Sequence, residues 1–382
     1  MAAGHKYVAG IPKQRTGQGF EVGVPHVAFY ITGHGFGHAT RMAAVASALA
    51  RQTPGLAISL ISTAPEWLFR TNIPCDFGLR RRAMDVGVIQ VDSIRLDPTA
   101  TLLAYARLLS SQPAAVQEEA EILHRDGVDL VVADIPPAAF LVAQKAGIPA
   151  VGISNFSWDW IYADYVRALP QYAPILEQIR EAYGRADLFL RLPFHGDCGS
   201  FKVIRDIPMI ARRARRSREE VRRSLRLDGA RPVILLSFGG FEIQGINFDR
   251  VERLDEYCFL TTQPTPRPLE NVRVVTLNGF PYQDLVAQAD AVITKPGYGI
   301  VSDCLANRTP VLYTSRGQFA EFGPLVAGLE RYGVASFIAN EDLLAGNWRS
   351  GLDTLLRLPP RWSNLPVNGA EIAAGILQAI LA

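Results

Sequence analysis

The sequence predicts an α/β protein of two doubly wound domains facing each other across a cleft. Three observations lead there. Continuous apolar runs alternate with segments of helical apolar spacing, the signature of parallel strands covered on both faces. The alternation restarts after a charged stretch, and 382 residues exceed what one ordinary core encloses.

Residues 1–24 mix Gly, Lys, Gln and Arg without an apolar core, so they are expected to form a flexible leader and not a signal peptide. The N-terminal domain is placed at 25–205. It opens with "PHVAFYITG", a strand ending at glycine, continues with the helical spacing of "TRMAAVASALARQ", and adds the strand "LAISLIST". "EEAEILHRDGVDLVVADIPPAAFLVAQKAGIPAVGIS" then reads as helix, strand, helix, strand. A basic linker at 206–230 contains "ARRARRSREEVRRSLRL", whose spacing suits an exposed helix. Glu219 and Glu220 interrupt its charge and no aromatic residues interleave for base stacking, so a solvated helix is expected there, not a nucleic-acid surface. The C-terminal domain, 231–360, carries the strands "PVILLSFGG", "YCFLTT", "VRVVTL", "DAVITKPG" and "TPVLYTS". A last helix within 361–382, "NGAEIAAGILQAILA", is open to a return onto the first domain.

The net charge of +2 argues against nucleic acid as a partner. Cys75, Cys198, Cys258 and Cys304 are scattered without paired spacing, which fits neither a zinc site nor a disulfide framework and suits a reducing cytoplasm. No apolar segment is long enough to span a bilayer. Nothing in the sequence speaks to the oligomeric state.

"YITGHGFGHATR" packs Gly33, His34, Gly35, Phe36, Gly37 and His38 into a strand-to-helix turn. Three chemistries compete for it. A dinucleotide loop would need a third glycine where His38 stands and an acidic residue after the second strand, which instead ends in "LISTAP". A metal site would need more ligands than His34 and His38, with glycines between them and no acidic neighbours. The third reading is a positioned imidazole: His38 opens the helix, where the dipole favours the neutral, proton-accepting form. A capping or packing histidine is the plain alternative.

A second glycine loop, "ITKPGYGIVSDCLANRTPVL", turns at Gly297 and Gly299 into a helix expected over 300–306. The unpaired N–H groups of its first turn suit a diphosphate, with Lys295 adding charge at the rim. Asp303 lies about one turn in, placed to accept hydrogen bonds from ribose hydroxyls. Gly239 and Gly240 end another strand where backbone amides can reach a phosphate or sugar. Phe280 precedes a helix beside this loop, as a base contact or as core.

"VLYTSRGQFAEFGPL" after "GYGIVSDCLANRTP" resembles the donor-site signature of GT-B glycosyltransferases, including the enzymes that add N-acetylglucosamine in lipid II synthesis. "TGHGFGHATR", "SNFSWDWIYADYV", "RRSREEVRRSL", "GYGIVSD" and "NGAEIAAGILQ" resemble, in the same order, landmarks of the glycosyltransferase-like N-terminal region of plant L-arabinokinases. The resemblance covers nearly all of the chain after residue 25 and does not extend to a kinase half. It implies two Rossmann-like domains with a nucleotide-sugar donor held mainly by the second. Asp303 would hold the ribose, and the loop through Gly297, Tyr298 and Gly299, with Ser302 following, the diphosphate. Gln318 and Glu321 would lie near the donor sugar, and His38 would be the base. The family's aspartate partner for that base falls at Val142 here, and Asp134, at the end of its strand, is the substitute. Trp158 and Asp159 would line the acceptor side.

The function expected from the sequence is inverting, metal-independent transfer of a sugar, from a nucleotide diphosphate sugar of the uridine type to a hydroxyl of a small-molecule acceptor, without a cofactor. The rival is a non-catalytic sugar-nucleotide-binding protein, a sensor or kinase partner. A nucleotide-sugar 2-epimerase would need an acidic cluster in the cleft that the sequence does not show.

Overall fold

A computed structural model describes residues 23–91, 95–227, 229–239, 245–277 and 281–382. Most of the leader, Gly240 and Phe280 lie outside the described residues. The first domain runs β1 (His26–Ile31), α1 (Phe36–Gln52), β2 (Ala57–Ile61), α2 (Glu66–Asn72), β3 (Gly78–Arg80), α3 (Pro98–Arg125), β4 (Leu130–Asp134), α4 (Pro137–Ala146), β5 (Ala150–Ser154), α5 (Trp158–Ala168), α6 (Ala173–Tyr183), β6 (Leu188–Arg191) and β7 (Ile204–Asp206). Its strands pair in parallel in the order β3-β2-β1-β4-β5-β6-β7.

The second domain follows α7 (Arg218–Ser224) with β8 (Val233–Ser237), α8 (Phe248–Val251), β9 (Cys258–Thr261), β10 (Val272–Val274), α9 (Tyr282–Gln288), β11 (Ala291–Thr294), α10 (Tyr298–Asn307), β12 (Val311–Tyr313), α11 (Phe322–Tyr332), β13 (Ala335–Phe337), α12 (Asn340–Ala345), α13 (Arg349–Arg357) and α14 (Gly369–Leu381). Its sheet has the order β10-β9-β8-β11-β12-β13. Both sheets are thus doubly wound, each with one point where the strand order reverses: between β1 and β4, and between β8 and β11.

The strands read as apolar runs because helices cover both faces. Every residue of β4, β5 and β8 is buried, and so are the last five of β1. Local chemistry sets the helix ends. Asp97 caps α3 through the Ala100 N–H at 2.8 Å with Pro98 at the first position, and Gly147 ends α4 in the left-handed conformation. The first half of α3, from Pro98, is an element the sequence pattern does not reveal, since Pro113 interrupts its apolar spacing.

The linker differs from the expected solvated helix. Among its described residues only Arg218–Ser224 is helical, started by a capping box of Ser217 and Glu220. Before it the chain docks on the second domain. The N–H groups of Arg212, Ala214 and Arg215 donate to Asp303, Asn307 and Asp284. Arg218 and Arg222 pair with Asp290. Backbone donors that meet side-chain acceptors outside the segment have no reason to form helix bonds, so the first half stays extended.

The last helix lies against the first domain. Ala370, Ala373, Ala374 and Leu377 of α14 are buried with residues of α1, and Gln378 Nε2 donates to the Gln52 carbonyl at 2.6 Å. Burial of a leucine side chain contributes roughly 1.5–3 kcal/mol, so Leu377 is the main apolar anchor of this return. Among the described residues no helix is long and apolar enough to cross a membrane.

Candidate active site at the domain interface

Ligands of open α/β sheets bind beyond the strand ends at the point where the order reverses, and here two such points confront each other. In the first domain the loop after β1 and the end of β4 meet there, with Ile31 paired to Asp134. In the second, β8 and β11 end side by side at Ser237 and Thr294. Each switch point opens a helix. Gly35, at φ +76°, caps α1, and Gly297 caps α10. Neither cap supplies a side-chain bond, and neither first turn holds an acidic residue. Both N-termini therefore present open N–H groups and positive dipole ends to the cleft.

The two helix starts touch. A Cβ on Gly299 would stand 3.2 Å from the Gly37 Cα, and one on Gly37 3.5 Å from the Gly299 nitrogen. Glycine at both positions is what lets the domains approach this closely. Around the contact lies a cavity of about 1110 Å³ with walls from both domains. His34, Phe36, His38, Arg41 and Trp67 line it from the first domain. Gly239, Lys295, Tyr298, Asp303, Arg316 and Glu321 line it from the second.

His38, in the first turn of α1, has its Nδ1 2.9 Å from Asp134 Oδ1. Arg41, one turn later on the same helix, meets the same carboxylate with Nε and Nη2, each at 2.5 Å. Counting hydrogens assigns the histidine tautomer. Arg41 Nη2 carries two hydrogens, taken by Asp134 Oδ1 and by Ser154 Oγ at 2.8 Å. None remains for His38 Nδ1, although it lies 2.9 Å away. His38 therefore donates from Nδ1 to Asp134 and keeps a lone pair on Nε2. Burial works to raise the Asp134 pKa, but Arg41 and then His38 override it and hold the carboxyl below the ordinary range.

The polar chain continues across the interface. Arg41 Nη1 donates to Asn155 Oδ1 at 2.8 Å, and Asn155 Nδ2 to Glu321 Oε1 at 2.8 Å. Glu321 Oε2 accepts from Arg316 Nη1 at 3.0 Å. Arg316 lies over the Phe319 ring, 3.8 Å from its centroid. Every member of this chain is buried, so each polar group depends on its partner.

Behind the loop, His34 Nδ1 accepts the Val88 N–H at 3.2 Å. Burial, followed by the Arg316 charge, by any proton on His38 and by Lys295, holds the His34 pKa well below the usual imidazole value. Beneath it, Asp85 accepts from Thr32 Oγ1 and Trp158 Nε1, both at 2.9 Å. Burial pushes this carboxyl up to about 7. Its folded pKa thus exceeds the unfolded value near 3.9, so the folded state binds the proton more tightly. The stability this contributes is complete at acid pH and is lost as pH rises through about 7. Thermal melts from pH 5 to 8 should therefore show wild type losing stability relative to Asp85→Asn as pH rises. Parallel curves would refute the assignment.

The donor candidates divide. Gly239, with φ +77°, Lys295, Gly297, Tyr298 and Gly299 line the cavity. Asp303 lies at its edge, but Arg212 takes both carboxylate oxygens, a partner hidden in the sequence as one arginine of the basic run. Ser302 is buried and donates to the Gly299 carbonyl of its own helix. Gln318 is exposed outside the cavity lining. Glu321 has both oxygens committed, to Asn155 and Arg316.

On the acceptor side three residues expected at the cleft, Trp158, Asp159 and Gly33, lie outside the cavity lining. Trp158 is wholly buried, stacked on Tyr162 with its indole N–H on Asp85, so it is core and offers no face to a ligand. Asp159 binds Ser200 and Arg180 away from the cavity. Gly33 is outside the lining too, and a Cβ there would collide with Thr63. The aromatic lining contributed by the first domain is instead Phe36, Trp67 and Phe156, with Phe36 and Trp67 edge to face at 5.7 Å between ring centroids. Trp67 stands alone in sequence, with no motif to flag it. Arg41 did leave a signal: three residues after His38 on a helix is the same face.

No family model matches the chain. It is 34% identical over 357 residues to an L-arabinokinase of Arabidopsis thaliana, which covers 92% of this chain and 34% of that protein. The chain thus spans about a third of the length of the curated relative it matches. Among solved structures, the calicheamicin glycosyltransferase CalG4 superposes with a TM-score of 0.55 at 17% identity over 94% of each chain. SnogD, a glycosyltransferase of Streptomyces nogalater, gives 0.57 at 16% identity, over 94% of this chain and 100% of that one. Phytolacca americana UGT2, complexed with UDP-2-fluoro-glucose and pterostilbene, gives 0.59 at 13% identity over 94% of each chain. The chain has the two-domain GT-B fold of these glycosyltransferases.

Proposed function

We propose that this protein is an inverting, metal-independent glycosyltransferase that moves a sugar from a UDP-sugar to a hydroxyl of a small-molecule acceptor. The observation that carries this reading is the His38–Asp134 pair, lone pair on Nε2, facing the Lys295 and α10 wall across one cavity. The solved relative bound to UDP-2-fluoro-glucose supports UDP as the nucleotide.

The donor diphosphate is assigned to the open N–H groups of α10 and to Lys295. There the leaving group's growing charge meets donors already in place, and removal of one such donor typically costs about 3 kcal/mol. The acceptor enters along Phe36 and Trp67. His38 Nε2 takes the proton of its hydroxyl as the oxygen bonds to the anomeric carbon. Attack comes from the face opposite the departing diphosphate, so the configuration inverts. Asp134 keeps the imidazole in the accepting tautomer and stabilises the imidazolium that forms. Charge relief is assigned to helix and lysine because, among the described residues, the carboxylates lining the cleft, Asp303 and Glu321, are engaged by arginines. Four free thiols suit a reducing compartment such as the cytoplasm.

The test is a thermal-shift screen of nucleotides and nucleotide sugars, followed by an assay for UDP release with hydroxyl acceptors. A ligand at 100 times its Kd stabilises by about 2.7 kcal/mol. UDP and at least one UDP-sugar should stabilise wild type and do so less in Lys295→Ala. Stabilisation without turnover would favour a sugar-nucleotide-binding protein. No response to any nucleotide would sink both.

A further inference from the structure

The imidazole–carboxylate pair has a third member whose chemistry the pair alone does not explain. Arg41 is 4% exposed and grips Asp134 at two points, so the carboxylate's plane is set by the guanidinium fork and not by the histidine. Asp134 Oδ2 accepts from Arg41 Nε, and Oδ1 is shared between Arg41 and His38. Electrostatics point the same way. A lone buried carboxylate beside an imidazole strongly favours the imidazolium, and a guanidinium on that carboxylate offsets it. Nor is the fork confined to one domain, since Arg41 reaches Glu321 through Asn155.

We propose that Arg41 is a positioning residue for the His38–Asp134 pair, holding the carboxylate by a two-point fork and offsetting its charge on the imidazole. The fork keeps Asp134 aligned on Nδ1, and with it Nε2 toward the cleft. Other groups around His38 are accounted for. His34 lies 6.5 Å away between ring centroids, Phe156 packs edge-on, and Tyr298 carries Arg41 over its face at 5.1 Å. Of the remaining charged groups lining the cavity, Arg316 is offset by Glu321 and Arg212 by Asp303, with Lys295 at the rim. Arg41 is therefore the cation that acts on this pair directly.

As a part of catalysis this role rests on His38 being the base, but it is measurable without turnover. Imidazole titration by NMR, with the His38 signal assigned from His38→Gln, should move to higher pH in Arg41→Gln, because Asp134 then acts on the imidazolium unopposed. Arg41→Lys restores the charge without the fork, so its midpoint should fall between wild type and Arg41→Gln. An Arg41→Gln midpoint equal to or below wild type overturns the proposal. Should Arg41→Gln not fold, a wild-type midpoint in Arg41→Lys overturns the fork. Absence of UDP release in wild type would sink the glycosyltransferase reading and leave the titration standing. A titration insensitive to Arg41 would sink this inference whether or not transfer occurs.

Discussion

Replacement of His38 by alanine is expected to lower glycosyl transfer by about two to four orders of magnitude, the range a general base contributes. Donor affinity should stay near wild type, because His38 Nδ1 is spent on Asp134 and the diphosphate contacts are assigned to the other domain. Single-turnover kinetics with saturating UDP-sugar, alongside a thermal shift with UDP, separate the two effects. His38 is buried but partners a polar group, so some stability loss accompanies the substitution and circular dichroism must show a folded variant. Transfer at the wild-type rate in folded His38→Ala would remove the assigned base.

Asp134→Ala should have the largest effect on stability. It leaves the Arg41 guanidinium buried with its main counter-charge gone, and breaking a buried pair from one side typically costs about 3–5 kcal/mol. Asp134 is wholly buried and accepts from both Arg41 and His38. The pH dependence has a definite sign. A carboxyl whose folded pKa lies below its unfolded value contributes stability that is present above about pH 4 and lost as pH falls through the folded pKa. Denaturant melts of wild type should therefore weaken on acidification, and Asp134→Ala should lack that contribution. An unfolding free energy within about 0.5 kcal/mol of wild type, the scale of a neutral surface change, would show that the fork is not what holds this corner.

Much of the site was legible because it lies in local chemistry. Glycines in "TGHGFGHATR" and "KPGYG" mark turns from strand to helix, and such turns end at open N–H groups whatever the rest of the chain does. Asp134 was legible as the polar end of an apolar run. Trp158 and Asp159 misled because an aromatic–acidic cluster has the same composition in a ligand wall and in a core. Only the tertiary position of α5, which puts the Trp158 indole N–H on Asp85 and buries its ring against Tyr162 of the same helix, decides between them. Asp303 and Glu321 looked available to a donor because their arginines, Arg212 and Arg316, lie 91 and 5 residues away with no periodic link.

By itself the sequence determined the two strand–helix series, the glycine turns that begin α1 and α10, and the residue types that meet there. Hydrophobic periodicity and glycine's conformational freedom act over a few residues, so they can be read without a fold. What only the tertiary structure decided was strand order and docking. These placed the two switch points face to face, brought Gly37 against Gly299, and joined His38, Asp134, Arg41, Asn155 and Glu321 into one chain. Those contacts span up to 166 residues and depend on long-range packing, which no local pattern records.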